Sequence, residues 1–167
     1  MNKLLALAMA IFLLALAPMA GLAQGTSVAF GSFNHDASQP VEITADSLEV
    51  NQADGSAEFR GNVMIGQGDM RMSAGLVRVE YASGGDATGQ ISQLIASGGV
   101  TLVNGAEAAE AQRAVYSIAR ATITMSGGVI LTQGRNALSA ERLIVDLNRG
   151  TGRLEGRVKT ILRTGGN

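Results

Sequence analysis

Gln39-Pro40-Val41-Glu42-Ile43-Thr44-Ala45-Asp46-Ser47-Leu48-Glu49-Val50 alternates apolar and polar side chains as far as Ala45 and then changes phase. Val41, Ile43 and Ala45 share one side of an extended chain, and Glu42, Thr44 and Asp46 share the other, which is the period of a strand with one buried face. Leu48 and Val50 follow Ala45 at an odd step, so the apolar set changes sides unless the strand bends or bulges there. The same slip recurs from Ala74 to Val77 and Val79, from Ala111 to Ala114 and Tyr116, and from Ala140 to Leu143 and Val145. A defect kept at one place in every copy predicts a corner that carries the chain from one sheet to a facing sheet while its apolar side chains stay inside.

Outward from these corners the chain is a fourfold repeat. The four alanines are spaced by 29, 37 and 29 residues, and the Gly-rich run from Ala82 to Gln90 accounts for the longer interval. Each copy closes on Gly-x-Val, at Gly61, Gly98, Gly127 and Gly156. Turn residues separate the strands at Gln52 to Ser56, at Gly84-Gly85, less typically near Arg120, and at Asn148 to Gly152. The return strands alternate again, and each places its glycine at an inward position. Such a glycine either lets the strand bend or leaves room in the interior, and the bend is favoured because a corner needs it in any case. The fold class is therefore all-β, and a stacked β repeat encloses an elongated apolar interior rather than a single catalytic cleft.

The flanks read differently. Met1-Asn2-Lys3, the apolar stretch Leu4 to Ala17, Pro18 and the small residues to Ala23 have the pattern of a secretory signal peptide cut before Gln24, with an uncleaved membrane anchor as the alternative. This gives a signal peptide over 1–23, a flexible lead-in over 24–39, a β domain over 40–163 and a tail over 164–167. Without Lys3 the chain carries 12 basic and 14 acidic side chains, which argues against nonspecific nucleic-acid binding. Cysteine is absent, so there is no disulfide, thiolate metal site or lipid-modified cysteine, and core and ladders alone must hold an exported domain together. Charge is segregated along the chain: Asp36 to Glu110 holds 11 acidic and 3 basic side chains, and Ala111 to Asn167 holds 3 acidic and 9 basic. In a roll that stacks its repeats in order, this becomes a dipole along the long axis, suited to docking an acidic end on a basic one.

The stretch Gln39 to Asp46, with Phe59-x-Gly61-Asn62-Val63 and Met72-x-Ala74, resembles the OstA-like family over roughly Gln39 to Arg163. The resemblance implies an elongated β-jellyroll of repeated antiparallel strands, open at both ends, whose interior holds the acyl chains of the lipid A moiety of lipopolysaccharide. It also implies a periplasmic location and head-to-tail stacking, including self-association, between inner-membrane-anchored and outer-membrane transport components. Such a module has a clear physical task, since exposing an acyl chain of roughly a dozen methylenes costs about 10 kcal/mol in water. Eight rungs per sheet make it on the order of 40 Å long.

On this reading the lipid-facing set is Ile43, Leu48, Val50, Phe59, Val63, Ile65, Val79, Tyr81, Leu94, Leu102, Tyr116, Ile123, Met125, Leu131 and Val145, unless these residues simply pack a dry core. Tyr81 and Tyr116 sit at equivalent strand ends, where a polar tip suits a rim. The open edges suited to strand addition by a partner carry Val41, Ile43, Val158 and Ile161. Arg149, Arg153, Arg157 and Lys159 either meet head-group phosphates or are merely solvated. No enzyme is indicated: the lone His35 beside Asp36 makes neither a triad nor a metal-ligand spacing, and no cofactor or metal motif is present. Asp46 and Glu49 read as a bend cap rather than a catalytic pair. A parallel β-helix that binds a surface or a polysaccharide, and the membrane-anchored member of the same family, are the alternatives. Amino-terminal sequencing of the exported chain is expected to start at or near Gln24, and an intact Met1 start in a membrane fraction would favour the anchor.

Overall fold

A computed structural model of the chain describes residues 26–29, 39–83 and 89–161. The signal peptide, most of the lead-in including His35 and Asp36, the Gly84-Gly85 turn, Arg163 and the tail lie outside the described residues. Eleven strands follow in order: β1 (Thr26–Ala29), β2 (Glu42–Thr44), β3 (Ser47–Asn51), β4 (Ser56–Gln67), β5 (Met70–Tyr81), β6 (Ile91–Asn104), β7 (Glu107–Ser117), β8 (Thr122–Gln133), β9 (Asn136–Asp146), β10 (Thr151–Glu155) and β11 (Lys159–Ile161).

They form one antiparallel sheet that does not close into a barrel, in the order β1-β10-β9-β8-β7-β6-β5-β4-β2, with β3 also on β4 and β11 also on β9. Every described ladder is antiparallel, which excludes the parallel β-helix. The ladder shifts register once in the middle of each long strand, between Arg60 and Val63, Ser73 and Leu76, Ser97 and Val100, Glu110 and Arg113, and Ser126 and Val129. These shifts are the corners expected from the phase slip, and they divide the sheet into two limbs. One limb runs through β3, the first halves of β4, β6 and β8, the second halves of β5, β7 and β9, and β10. The other runs through β2, the remaining halves and β11. Each limb thus counts eight rungs among the described residues, apart from β1.

The corner has a simple backbone cause. Gly61 and Asn62 are both left-handed, at φ +74° and +46°, and together they oppose the single residue Gly75 on the next strand. Two residues facing one is a bulge, and it both bends the strand and restores the inward phase. Gly98-Gly99, Gly127-Gly128 and Gly156-Arg157 repeat this geometry. The glycine therefore serves the bend, and it does not face the interior as expected: Gly98, Gly127 and Gly156 are exposed, because the bulge turns them to the outer side of the corner. It also clears room for the residue after each repeat alanine: a Cβ added at Gly127 would lie 2.8 Å from the Gln112 Cβ.

Between the limbs lies one apolar core. It is built from the alternating inward residues together with Ala74, Ala111 and Ala140, which are small enough to pack inside the bends. Two expectations change. Part of the lead-in is a strand: β1 pairs antiparallel with β10 through Thr26–Leu154, Ser27–Arg153, Val28–Gly152 and Ala29–Thr151. The carboxy-terminal edge of the first limb is therefore covered by the chain itself and is not open.

Gly127→Ala, which meets both a positive φ and the Gln112 side chain, is expected to destabilise the fold by about 3 kcal/mol in urea unfolding, whereas Gly128→Ala, at positive φ but in open space, should cost about 1 kcal/mol.

Candidate functional site

Alternation aims ten of the proposed lipid-facing residues into the core: Val63, Ile65, Val79, Leu94, Leu102, Tyr116, Ile123, Met125, Leu131 and Val145 are each at most 1 % exposed. Side chains so enclosed line no water-accessible space, so at these positions the limbs meet in a dry, packed core. Ile43 and Phe59 are half-buried against it. Leu48, Val50 and Tyr81 are exposed, at 56 %, 62 % and 41 %. Leu48 pairs with Phe59 and Val50 with Ala57, so both remain on the inner face. Water reaches them because β3 is the last strand of its limb among the described residues, and none of these continues the interior. The same interior that is dry along the middle of the roll thus opens as an apolar mouth at its amino-terminal end. Of the edge residues, Val41, Ile43 and Val158 pack partly on the core and Ile161 is exposed.

The free margins of the limbs, away from the corners, are tied by polar side chains. The Tyr116 hydroxyl donates to Gln67 Oε1 at 2.7 Å, and Gln67 Nε2 donates to the Gln39 carbonyl at 2.9 Å. Tyr116 is on β7 and Gln67 ends β4, with β5 and β6 between them in the sheet, so this bond crosses the interior from limb to limb. Burial pushes the Tyr116 hydroxyl up to about 12. Gln133, at the matching place on β8, donates to the Ala29 carbonyl at 2.6 Å and to Glu107 Oε1 at 2.9 Å. Gln67 escaped the sequence reading, although it continues the inward phase of Val63 and Ile65. A polar side chain on an apolar phase was the available signal, and the rim role expected for Tyr116 belongs instead to a buried tie.

The first and last corners carry polar locks. Asp46 Oδ2 accepts from Asn62 Nδ2 at 2.8 Å, and Glu141 Oε1 accepts from Arg157 Nε at 2.8 Å. Asp46 thus caps a bend, while Glu49 lies opposite Glu58, and no group of three acidic, histidine or cysteine side chains suited to a metal occurs among the described residues. Arg149, Arg153 and Arg157 reach Asp146, Glu155 and Glu141 on their own surface. Because the strands stack in chain order, the acidic half of the sequence lies at the β2–β3 end and the basic half toward β10 and β11.

Residues 42–151 match the family model described as LptA/(LptD N-terminal domain) LPS transport protein. The chain belongs to this family. An uncharacterised protein of Rhizobium meliloti (strain 1021) is 32 % identical over 110 residues, covering 64 % of this chain and 59 % of the relative, so the chain spans well under two thirds of that protein. The crystal structure of LptH, the LptA-homologous periplasmic component of the lipopolysaccharide transport device of Pseudomonas aeruginosa, superposes with a TM-score of 0.67. It is 16 % identical, and the match covers 77 % of this chain and 99 % of LptH, so the folds are alike. The OstA-like resemblance and the open LptA-type jellyroll stand on these matches, and the family is one of transport proteins.

The Tyr116 tie gives the family fold a measurable alkaline signature. A hydroxyl whose folded pKa lies above its unfolded value near 10 contributes stability that is complete below pH 10 and is lost as pH rises through about 12. Tyr116→Phe should remove that alkaline loss and, by deleting the buried hydrogen bond to Gln67 Oε1, cost about 1–3 kcal/mol at neutral pH in urea unfolding.

Proposed function

We propose that this chain is a non-enzymatic periplasmic bridge that passes lipopolysaccharide from the inner to the outer membrane along its apolar inner face, assembled head to tail with like-folded partners. The observation that carries this reading is the mouth. Family membership supplies the cargo class, and Leu48, Val50 and Phe59 present that inner face to water at one end of an otherwise dry roll. An acyl chain seated there shields apolar surface that the isolated protein leaves wet.

Passage beyond the mouth requires the limbs to part. A bent sheet whose limbs share only the corner side as continuous backbone opens most cheaply at the opposite margins, where the described limb-to-limb links are hydrogen bonds from Tyr116 to Gln67 and from Gln133 to Ala29 rather than a ladder. Each such bond is worth about 1 kcal/mol net, and the apolar contacts that the limbs give up across the core are replaced by contacts with the acyl chain, which itself gains about 10 kcal/mol by leaving water. The inner set named from the sequence is then the wall the lipid meets once the margins separate. The acidic β2–β3 end and the basic β10–β11 end give the assembly its polarity. The membrane-anchored member of the same family is the second reading, separated from the first by the amino-terminal sequencing described above.

Photo-crosslinking residues placed at Leu48 and Phe59 in intact cells are expected to capture lipopolysaccharide, whereas one at Arg78, which shares ion pairs with Asp54 and Glu80 on the outer surface, should not. Capture from Arg78 alone, or from none of the three, would refute the conduit.

A further inference from the structure

The carboxy-terminal edge is asymmetric. Its second limb ends in β11, which among the described residues pairs on one side only, with β9. Its first limb ends in β10, whose outer side is filled by β1. β1 is a slight strand: of its four residues only Val28 packs against the core, while Thr26, Ser27 and Ala29 are exposed. The opposite edge of the molecule, β2 and β3, carries nothing on its outer side among the described residues.

The internal ladders contain a rule that extends past β10. Wherever a Gly-x strand meets the alanine strand that follows it, the residue before the glycine pairs two places beyond the alanine, and the residue after Gly-x pairs with the alanine itself. Arg60–Leu76 with Val63–Ala74, Ser97–Arg113 with Val100–Ala111, and Ser126–Arg142 with Val129–Ala140 all obey it. β10 and β11 form the last Gly-x strand, around Gly156-Arg157, and β2 and β3 form the first alanine strand, around Ala45. The roll holds eight bent strands with both edges counted, and their directions alternate, so the first strand of another copy arrives antiparallel to β10. Their segment lengths also agree, five residues in both β3 and β10 and three in both β2 and β11.

We propose that β1 is a removable stand-in for β3 of a second copy of this chain, and that exchange of the two joins the copies in the register of the internal repeat. The rule sets Leu154 opposite Leu48 of the second copy, Arg153 opposite its Glu49 and Gly152 opposite its Val50. β1 already holds the same places with Thr26, Ser27 and Val28. The incoming strand makes the better partner. It takes Leu48 and Val50 out of water, sets Glu49 against Arg153, and brings β2 onto the bare edge of β11. β1 has the advantage of being tethered to the same molecule, so the exchange depends on protein concentration. This inference rests on the head-to-tail reading and adds its register and its self-occlusion.

The natural absence of cysteine makes the test clean. Full-length chains carrying Glu49→Cys and Arg153→Cys are mixed under mild oxidation, with Thr151→Cys replacing Arg153→Cys as the out-of-register control. Directly opposed strand residues lie within disulfide reach. The in-register pair should crosslink, and the control pair should do so at least about tenfold more slowly. Replacing Ser27 and Val28 with proline, which strips β1 of ladder donors, should speed in-register crosslinking by about tenfold, the equivalent of one weak strand. A chain locked by an internal Ser27→Cys/Arg153→Cys disulfide should remain monomeric in sedimentation velocity at concentrations where the proline variant associates. Equal crosslinking of the two pairs overturns the register. A proline variant that crosslinks no faster, or a locked chain that still associates, overturns the stand-in role. Lipopolysaccharide binding by the locked monomer, followed by crosslinking from Phe59, separates these failures from failure of the conduit itself.

Discussion

Each corner of this fold depends on two consecutive residues held in the left-handed region against a single residue on the neighbouring strand. L-residues enter that region at a cost, which glycine escapes, so the sequence places glycine first in all four pairs. The bend keeps both halves of a long strand facing the same interior, and without it the phase slip after each alanine would turn half of the apolar set outward. The two outermost corners differ from the inner pair. They place Asn62 and Arg157 at the second strained position and offset the strain with Asp46 and Glu141. At the ends of the roll, where one neighbouring strand is missing, a polar lock takes over part of the holding that a second ladder provides inside.

The repeat, the corners, the antiparallel-compatible strand pattern and ten of the inward side chains were legible in the sequence, because period and phase are local properties that backbone sterics translate directly into a face. What escaped the reading is non-local. β1 pairs with residues more than a hundred positions away, and Thr26-Ser27-Val28-Ala29 carries too little apolar character to announce a partner. Leu48 and Val50 read as inward, and they are. Their exposure comes from the absence, among the described residues, of a further strand beyond β3, which no alternation pattern can express. Gln67 went unread and Tyr116 was placed at a rim, and their pairing appears only when β4 and β7 face each other across the core.

A packed interior and a transport role are compatible because the two limbs are held by unequal means. On the corner side they are one covalent strand after another. On the opposite side the described links are a few amide and hydroxyl hydrogen bonds, each of which would exchange its partner for solvent if the margin opened as proposed. On the proposed conduit reading, a dry closed state also protects the protein when no lipid is seated, since an elongated open apolar trough would be an aggregation hazard in its own right.

The strand order has a consequence for how the molecule is made. From β2 through β11 every strand pairs with a neighbour close in sequence, so the chain can fold by adding one hairpin after another onto a growing edge, with little loop entropy to overcome at each step. β1 is the exception. It is the first strand to emerge and cannot find its place until β10, near the end of the chain, is in position. A nascent roll therefore passes through an interval in which its newest edge is complete and bare, and what that edge meets first is settled by time and proximity before it is settled by affinity.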